Sequence, residues 1–245
     1  MKPFLLLQAR DHDDPMAEHE WQSFARAMGV TRDDIHTWNL IEGTPDAATL
    51  DRHAAVLIGG SGQYSAGGDA PWLTSAATMV REELVERGRP TFAVCFGLQL
   101  MGRALGEAVI HDPDNREVGT YEVRITPEAE RCDLFGALPA RFDAQQGHND
   151  RILNTPAGTT KLAESDLADV QALVVERKPV WATQFHPELD VAGNRLRYVS
   201  YIENYGGLVG SEAEDPVLSS LRPSHHATNL LYRFAKMILE GRQEL

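Results

Sequence analysis

The chain has 245 residues, a formal net charge of −13 and 42% hydrophobic content, so it can fill one sizeable core. The acidic balance argues against a nucleic-acid surface, which needs clustered Lys and Arg, and no apolar stretch approaches membrane-spanning length. Two cysteines, Cys95 and Cys132, exclude a disulfide framework, and the apolar start at Phe4 is too short for a signal peptide; a soluble, cytoplasmic protein is expected.

Phe4 to Ala9 reads as a first buried strand. The loop Arg10–Pro15 holds His12 among aspartates; a metal reading is weighed there, but acidic loops at helix starts commonly serve as caps and solvated turns. Glu18 to Met28 carries Trp21, Phe24, Ala25 and Met28 at helical spacing and is closed by Gly29. Ile35 to Leu40 suggests a second strand, and Ala54 to Ile58 is the continuous apolar run of a strand covered on both faces. The glycines of Gly59-Gly60-Ser61-Gly62 let backbone N–H groups turn toward a ligand. No Lys-Ser/Thr pair closes a P-loop there and no dinucleotide fingerprint opens a helix, and a flexible surface turn is the competing reading. Trp72 to Arg87 predicts an amphipathic helix capped by Gly88.

Pro90 to Val94 is a short apolar run that turns sharply at Cys95 and continues from Leu98 to Leu105 at helical spacing, the layout of a nucleophile elbow. A thiol at such a turn faces the free N–H groups of the next helix, which favours thiolate. Beyond Gly106, runs at Ala108–Ile110, Val118–Ile125 and Ala140–Ala144 suggest antiparallel strands flanking the main sheet. Val170–Glu176 and Pro179–Thr183 read as a strand-turn-strand leading into Gln184-Phe185-His186-Pro187-Glu188. Arg195 to Tyr205 suggests a helix, 211–216 an acidic linker, and Asn229 to Leu239 a closing amphipathic helix; His225-His226 reads as loop.

An isolated cysteine in an apolar run would read as core, and His-Pro-Glu alone as a surface turn. If the strand ending at Thr183 runs parallel to the one ending at Val94, His186 and Cys95 emerge at the same sheet edge. A Cys95/His186/Glu188 triad is the implied chemistry: nucleophile, general acid-base, and a carboxylate that orients the imidazole.

Ala93-Val94-Cys95-Phe96-Gly97-Leu98-Gln99 together with Gln184-Phe185-His186-Pro187-Glu188 resembles the class I (triad) glutamine amidotransferase family, above all the glutaminase domain of GMP synthases and its free-standing relatives. The resemblance implies that the triad attacks the side-chain carboxamide of glutamine, forms a γ-glutamyl thioester, releases ammonia and hydrolyses the thioester. It also implies oxyanion-hole donors at the N–H groups of Gly60 and Phe96, and a substrate-holding role for Gln99. Gly147-His148-Asn149-Asp150 falls where the family's Ser-His-x-Asp segment borders the glutamine pocket, with Asp150 receiving the substrate ammonium. His148 ranks below His186 as a base, because only His186 has a carboxylate placed to orient it. Ser61 and Ala93 stand where the family usually has proline and glycine.

The fold expected is α/β, a flavodoxin-like, open, mostly parallel sheet with helices on both faces and a flanking antiparallel strand section. It forms one domain over 1–245 with a helical extension from about 206. No cofactor and no metal is expected. The chain has no Ser-Gly-Gly-x-Asp-Ser pyrophosphatase loop, so a separate ammonia-acceptor synthetase subunit is the implied partner. A self-sufficient γ-glutamyl peptidase and a catalytically silent regulatory or binding protein are the other readings.

Overall fold

The computed structural model describes residues 2–205 and 215–241. Its strands are β1 (Phe4–Gln8), β2 (Ile35–Asn39), β3 (Val56–Ile58), β4 (Thr91–Val94), β5 (Val109–His111), β6 (Glu117–Ile125), β7 (Arg141–His148), β8 (Asp150–Ile152), β9 (Thr159–Glu164), β10 (Ala172–Val175) and β11 (Val180–Thr183). The helices are α1 (Met16–Met28), α2 (Ala47–Asp51), α3 (Pro71–Met79), α4 (Phe96–Ala104), α5 (Val191–Ser200), α6 (Pro216–Ser220) and α7 (His225–Leu239).

Nine strands form one sheet in the order β2-β1-β3-β4-β11-β10-β9-β6-β7. β2, β1, β3, β4 and β11 pair in parallel, and every pairing from β11 through β10, β9 and β6 to β7 is antiparallel. The antiparallel section therefore extends the main sheet. The run near Ala108 does not join it: β5 pairs with β8 in a separate two-stranded sheet.

Strand alternation assigns the two cores. Phe4, Leu6, Leu57, Phe92 and Val94 face α1 and α7, where Phe24, Leu230, Leu231 and Phe234 are fully buried. Leu5, Leu7, Val56, Ile58 and Ala93 face the opposite layer, built by α3 and α4 with Leu50 of α2. Each such aliphatic or aromatic side chain contributes roughly 1.5–3 kcal/mol on burial, which fixes the parallel half between two helical layers.

Helix ends follow local chemistry, with some shifts from expectation. Gly29 closes α1 at φ +68°, where a side chain would be strained. The helix expected over 72–87 continues past Met79 as a π-helical stretch, Val80–Glu86. α5 begins four residues earlier than expected because the Asp190 side chain accepts from the Gly193 N–H as its N-cap. It gives way to a 3-10 turn, Ile202–Tyr205. Most of the expected acidic linker lies outside the described residues, and α7 starts at the two histidines read as loop.

Candidate active site

β4 and β11 run side by side in register, Thr91 opposite Val180 and Val94 opposite Thr183, so the residues that follow them leave the sheet at one edge. Cys95 follows β4 at φ 51°, ψ −103°, a strained backbone for a non-glycine residue that costs about 1–3 kcal/mol. Its N–H is held by the Thr183 carbonyl at 2.7 Å. At Gly97 a Cβ would meet the Ile58 carbonyl oxygen at 2.7 Å, so only glycine lets α4 start this close to the sheet.

His186 follows β11 at the same sheet edge, near enough to Cys95 for the sulfur to act on its charge. Its Nδ1 lies 2.8 Å from Glu188 Oε1, with both side chains buried. Burial opposes the imidazolium, yet the Glu188 carboxylate and the Cys95 sulfur outweigh it, and the His186 pKa is pushed up to about 9. Burial likewise opposes the Glu188 carboxylate, but His186 and then Arg197 hold its pKa down to about 2. Two further side chains touch this group. Gln184 Nε2 lies 3.6 Å from Cys95 Sγ, and Arg197 Nη1 of α5 donates to Glu188 Oε1 at 2.9 Å.

The other expected site residues are more committed than the sequence suggests. The Gly60 amide, expected as an oxyanion donor, donates to Glu20 Oε1 at 2.9 Å and so is engaged by a fully buried carboxylate. Glu20, on the Phe24 face of α1, also binds Arg10 and Gln8, and this buried network needs the amide. Gly60 itself packs on His186, where a Cβ would stand 3.0 Å from the ring. Phe96 opens α4, so its N–H has no acceptor four residues back in the helix.

Gln99 donates to the Asp150 carbonyl at 2.8 Å and to Gln184 Oε1 at 3.3 Å. The Asp150 carboxylate holds His111 Nδ1 at 2.7 Å. His148 does have a carboxylate partner, contrary to the reason for ranking it second: its Nε2 sits 3.0 Å from the buried Glu117 Oε2, which also accepts from Gln171. Gly147 brings its carbonyl to 4.0 Å from Cys95 Sγ. In the loop before α1, Asp11 accepts from Tyr64 and Asp14 from Arg10 and Tyr201. Among the described residues no cluster of three His, Cys, Asp or Glu could hold a metal ion.

Cys95, Phe96, Gln99, Gly147, His148 and Asp150 line one cavity of about 280 Å³. Tyr205 and Asn204, which sequence reasoning missed, close its side. Tyr205 Oη donates to the Gly147 carbonyl at 3.0 Å, and Asn204 binds the Gly62 carbonyl and accepts from Asn149. Burial, and after it the Cys95 sulfur, raises the Tyr205 phenol pKa. A larger hollow of about 700 Å³ beside Trp181 and Arg177 lies at the start of β11, away from the thiol. Arg197 and Tyr205 carry no sequence signal beyond a helix face and its end, whereas Glu20 has one: a charge one turn before the core residue Phe24.

A family model for class-I glutamine amidotransferases matches residues 28–200. Curated relatives include the glutamine-hydrolysing GMP synthases of Vibrio atlanticus, 33% identical over 126 residues, and Vibrio vulnificus, 34% identical over 128 residues. These alignments cover 51% and 52% of this chain but 24% and 23% of the relatives, so the matched part is about a quarter of their length. A glutamine amidotransferase structure from Thermotoga maritima superposes with TM-score 0.73 at 19% identity, covering 98% of this chain and 99% of that one. One from Methylobacillus flagellatus gives 0.72 at 20% identity, covering 100% and 97%. These two share the fold. Among the described residues no helix is long and apolar enough to cross a membrane. With more than half of its length matched by the family model, the chain belongs to the class-I glutamine amidotransferase family.

Proposed function

We propose that this chain is a glutaminase that hydrolyses the side-chain amide of L-glutamine through a γ-glutamyl thioester on Cys95. The observation that supports the reading best is the buried group at the sheet edge, in which Cys95 and His186 leave the adjacent ends of β4 and β11 and His186 Nδ1 lies 2.8 Å from Glu188 Oε1. His186 takes the thiol proton, and the Cys95 sulfur adds to the carboxamide carbon. The Phe96 N–H at the head of α4 supports the oxyanion. His186 then returns the proton to the departing nitrogen, so ammonia leaves and the thioester remains. Water, deprotonated by His186, attacks the thioester carbon; the C–S bond breaks, glutamate departs and the thiol is restored.

The ammonia acceptor is proposed to be a separate synthetase, since the GMP synthases that match are about four times longer than the matched segment, and one structural relative, from Thermoplasma acidophilum, carries the name of a GMP synthase subunit. A cavity of about 280 Å³ closed by Tyr205 and Asn204 favours a compact amide over a γ-glutamyl peptide. The test is glutamate release by the purified chain on glutamine and on γ-glutamyl peptides, with Cys95→Ala as control. Thiol-dependent release from glutamine is the expected result. Preference for peptides makes the chain a γ-glutamyl peptidase, and silence on both, alone and with the acceptor, makes it a binding protein.

A further inference from the structure

Acyl transfer to Cys95 expels the group bound to the substrate carbonyl, and that group takes its proton from His186 as it leaves. His186 Nδ1 is held by Glu188, so the proton comes from Nε2. The space beside Nε2 therefore decides how large a leaving group the site accepts. Gly147, near the end of β7, borders that space. A Cβ on Gly147 would stand 3.3 Å from Tyr205 Oη and 3.9 Å from His186 Nε2, so one carbon there would lie within contact distance of both. The Gly147 carbonyl lies 4.0 Å from Cys95 Sγ and accepts from Tyr205 Oη at 3.0 Å. Phenol, imidazole and thiol thus border one narrow corner. The backbone of Gly147 is not in the positive-φ region, so what its missing side chain provides there is room.

Tyr205 is fixed in place from several sides. Its ring stacks on Tyr198 of α5, with centroids 6.0 Å apart and 26° between the planes. Tyr198 is itself buried, and its hydroxyl donates to Asp215 at 2.9 Å. The Tyr205 carbonyl accepts from Arg116 Nη1 at 3.2 Å. Asn204 donates to the Gly62 carbonyl, and its own carbonyl accepts from Asn149 at 3.0 Å. The 3-10 turn is thereby tied to the loop after β3, to the β7–β8 corner and to the residue before β6, and its phenol cannot swing away from the thiol without breaking those bonds.

We propose that Tyr205 is a specificity-determining residue whose ring limits the leaving group to an unsubstituted amine, so that the site accepts the primary carboxamide of glutamine and rejects γ-glutamyl amides that carry carbon on the nitrogen. The inference rests on the glutaminase reading and deepens it. Ammonia brings one heavy atom into the corner beside His186 Nε2. A substituted amine brings more, and the added atoms meet a stacked, hydrogen-bonded phenol that has to be displaced before the leaving nitrogen reaches the imidazole. The selectivity belongs to the ring, because the hydroxyl is already engaged by the Gly147 carbonyl.

The experiment measures kcat/KM on L-glutamine, γ-glutamylmethylamide and γ-glutamylanilide for the wild type, Tyr205→Ala and Tyr205→Phe, with thermal unfolding checked for each. Comparing each variant with the wild type on the same substrate cancels the intrinsic reactivity of the amide. The Ala variant is expected to lower the glutamine-over-anilide ratio by about 10- to 100-fold, with a smaller change for the methylamide. The Phe variant, which keeps the ring, is expected to hold the wild-type ratio. A folded Ala variant with an unchanged ratio overturns the proposal, because a purely structural role lowers all three rates together. A Phe variant that matches the Ala variant also overturns it, since the hydroxyl and not the ring would then set the selectivity. If the Ala variant does not fold, Tyr205→Leu is read on the same terms. A wild type silent on all three compounds sinks the glutaminase reading alone. The wall is then read from Cys95 alkylation, where iodoacetamide and iodoacetanilide differ by a phenyl group on the amide nitrogen, and a ratio of the two rates that Tyr205→Ala leaves unchanged overturns the proposal.

Discussion

His186 and His148 each rest a ring nitrogen on a buried carboxylate, at 2.8 Å from Glu188 and 3.0 Å from Glu117. His148 lines the cavity at Cys95 and His186 follows the strand beside it, and their surroundings differ. The His186 pair is met by the Arg197 guanidinium and feels the Cys95 sulfur, which helps raise the His186 pKa. Among the described residues, Glu117 is met by His148 and by the neutral amide of Gln171. A carboxylate behind the ring therefore does not distinguish a base from a structural histidine. The two pairs differ in what stands around them, and under the proposed mechanism it is the His186 pair, at the same sheet edge as Cys95, that serves the thiol.

The largest expected effect tests whether the thiol belongs to this contrast at all. Cys95→Ala is expected to reduce glutamate release by at least about 10⁴-fold, and retained turnover in that variant would break the assignment. Next, His186→Ala is expected to lower kcat by about 10²–10⁴-fold and to raise the pH midpoint of Cys95 alkylation. His148→Ala is expected to act on KM and to leave that midpoint in place; equal kcat losses in the two variants would erase the distinction. Glu188→Gln is expected to cost about 10²-fold or more in kcat while Cys95 stays reactive toward a γ-glutamyl electrophile. Glu117→Gln, isosteric at the other pair, is expected to cost about 1–3 kcal/mol in urea unfolding with little change in kcat.

The smallest effect is the pH dependence of stability. His186 has its pKa raised from 6.5 to about 9, so its contribution is complete below pH 6.5 and lost as pH rises through about 9. Glu188 is lowered from 4.5 to about 2, so its contribution holds above pH 4.5 and disappears as pH falls through about 2. The urea midpoint of the wild type is expected to fall between pH 6.5 and 9 by more than that of His186→Ala. Parallel curves would show that the His186 cation adds nothing to the fold.

Much of the fold is legible because its cause is local. The apolar runs at Phe4, Val56 and Thr91 are long enough for buried strands, and Trp21, Phe24 and Met28 repeat at helical spacing. β9 was missed because Thr159-Thr160-Lys161 shows no apolar run, and it becomes a strand by pairing with β10 and β6. The separation of β5 from the main sheet depends on its pairing with β8, forty residues on, which no periodicity displays. In the candidate site, Cys95, His186 and Glu188 were legible from two short motifs, since elbow and turn are each built by adjacent residues. The capture of the Gly60 amide by Glu20 was not, because those residues lie forty positions apart and meet only when α1 packs on the sheet.

The sequence by itself determined that a thiol stands at a strand-to-helix turn and that a histidine–carboxylate pair follows a later strand. Short-range sterics and hydrogen bonding are enough for both. Only the tertiary structure decided that β4 and β11 are neighbours, that Arg197 binds Glu188, that Tyr205 bounds the cavity and that the Gly60 amide donates to Glu20. Each of those depends on burial and on partners distant in sequence, and electrostatic interactions take their strength from the low-dielectric surroundings that packing creates.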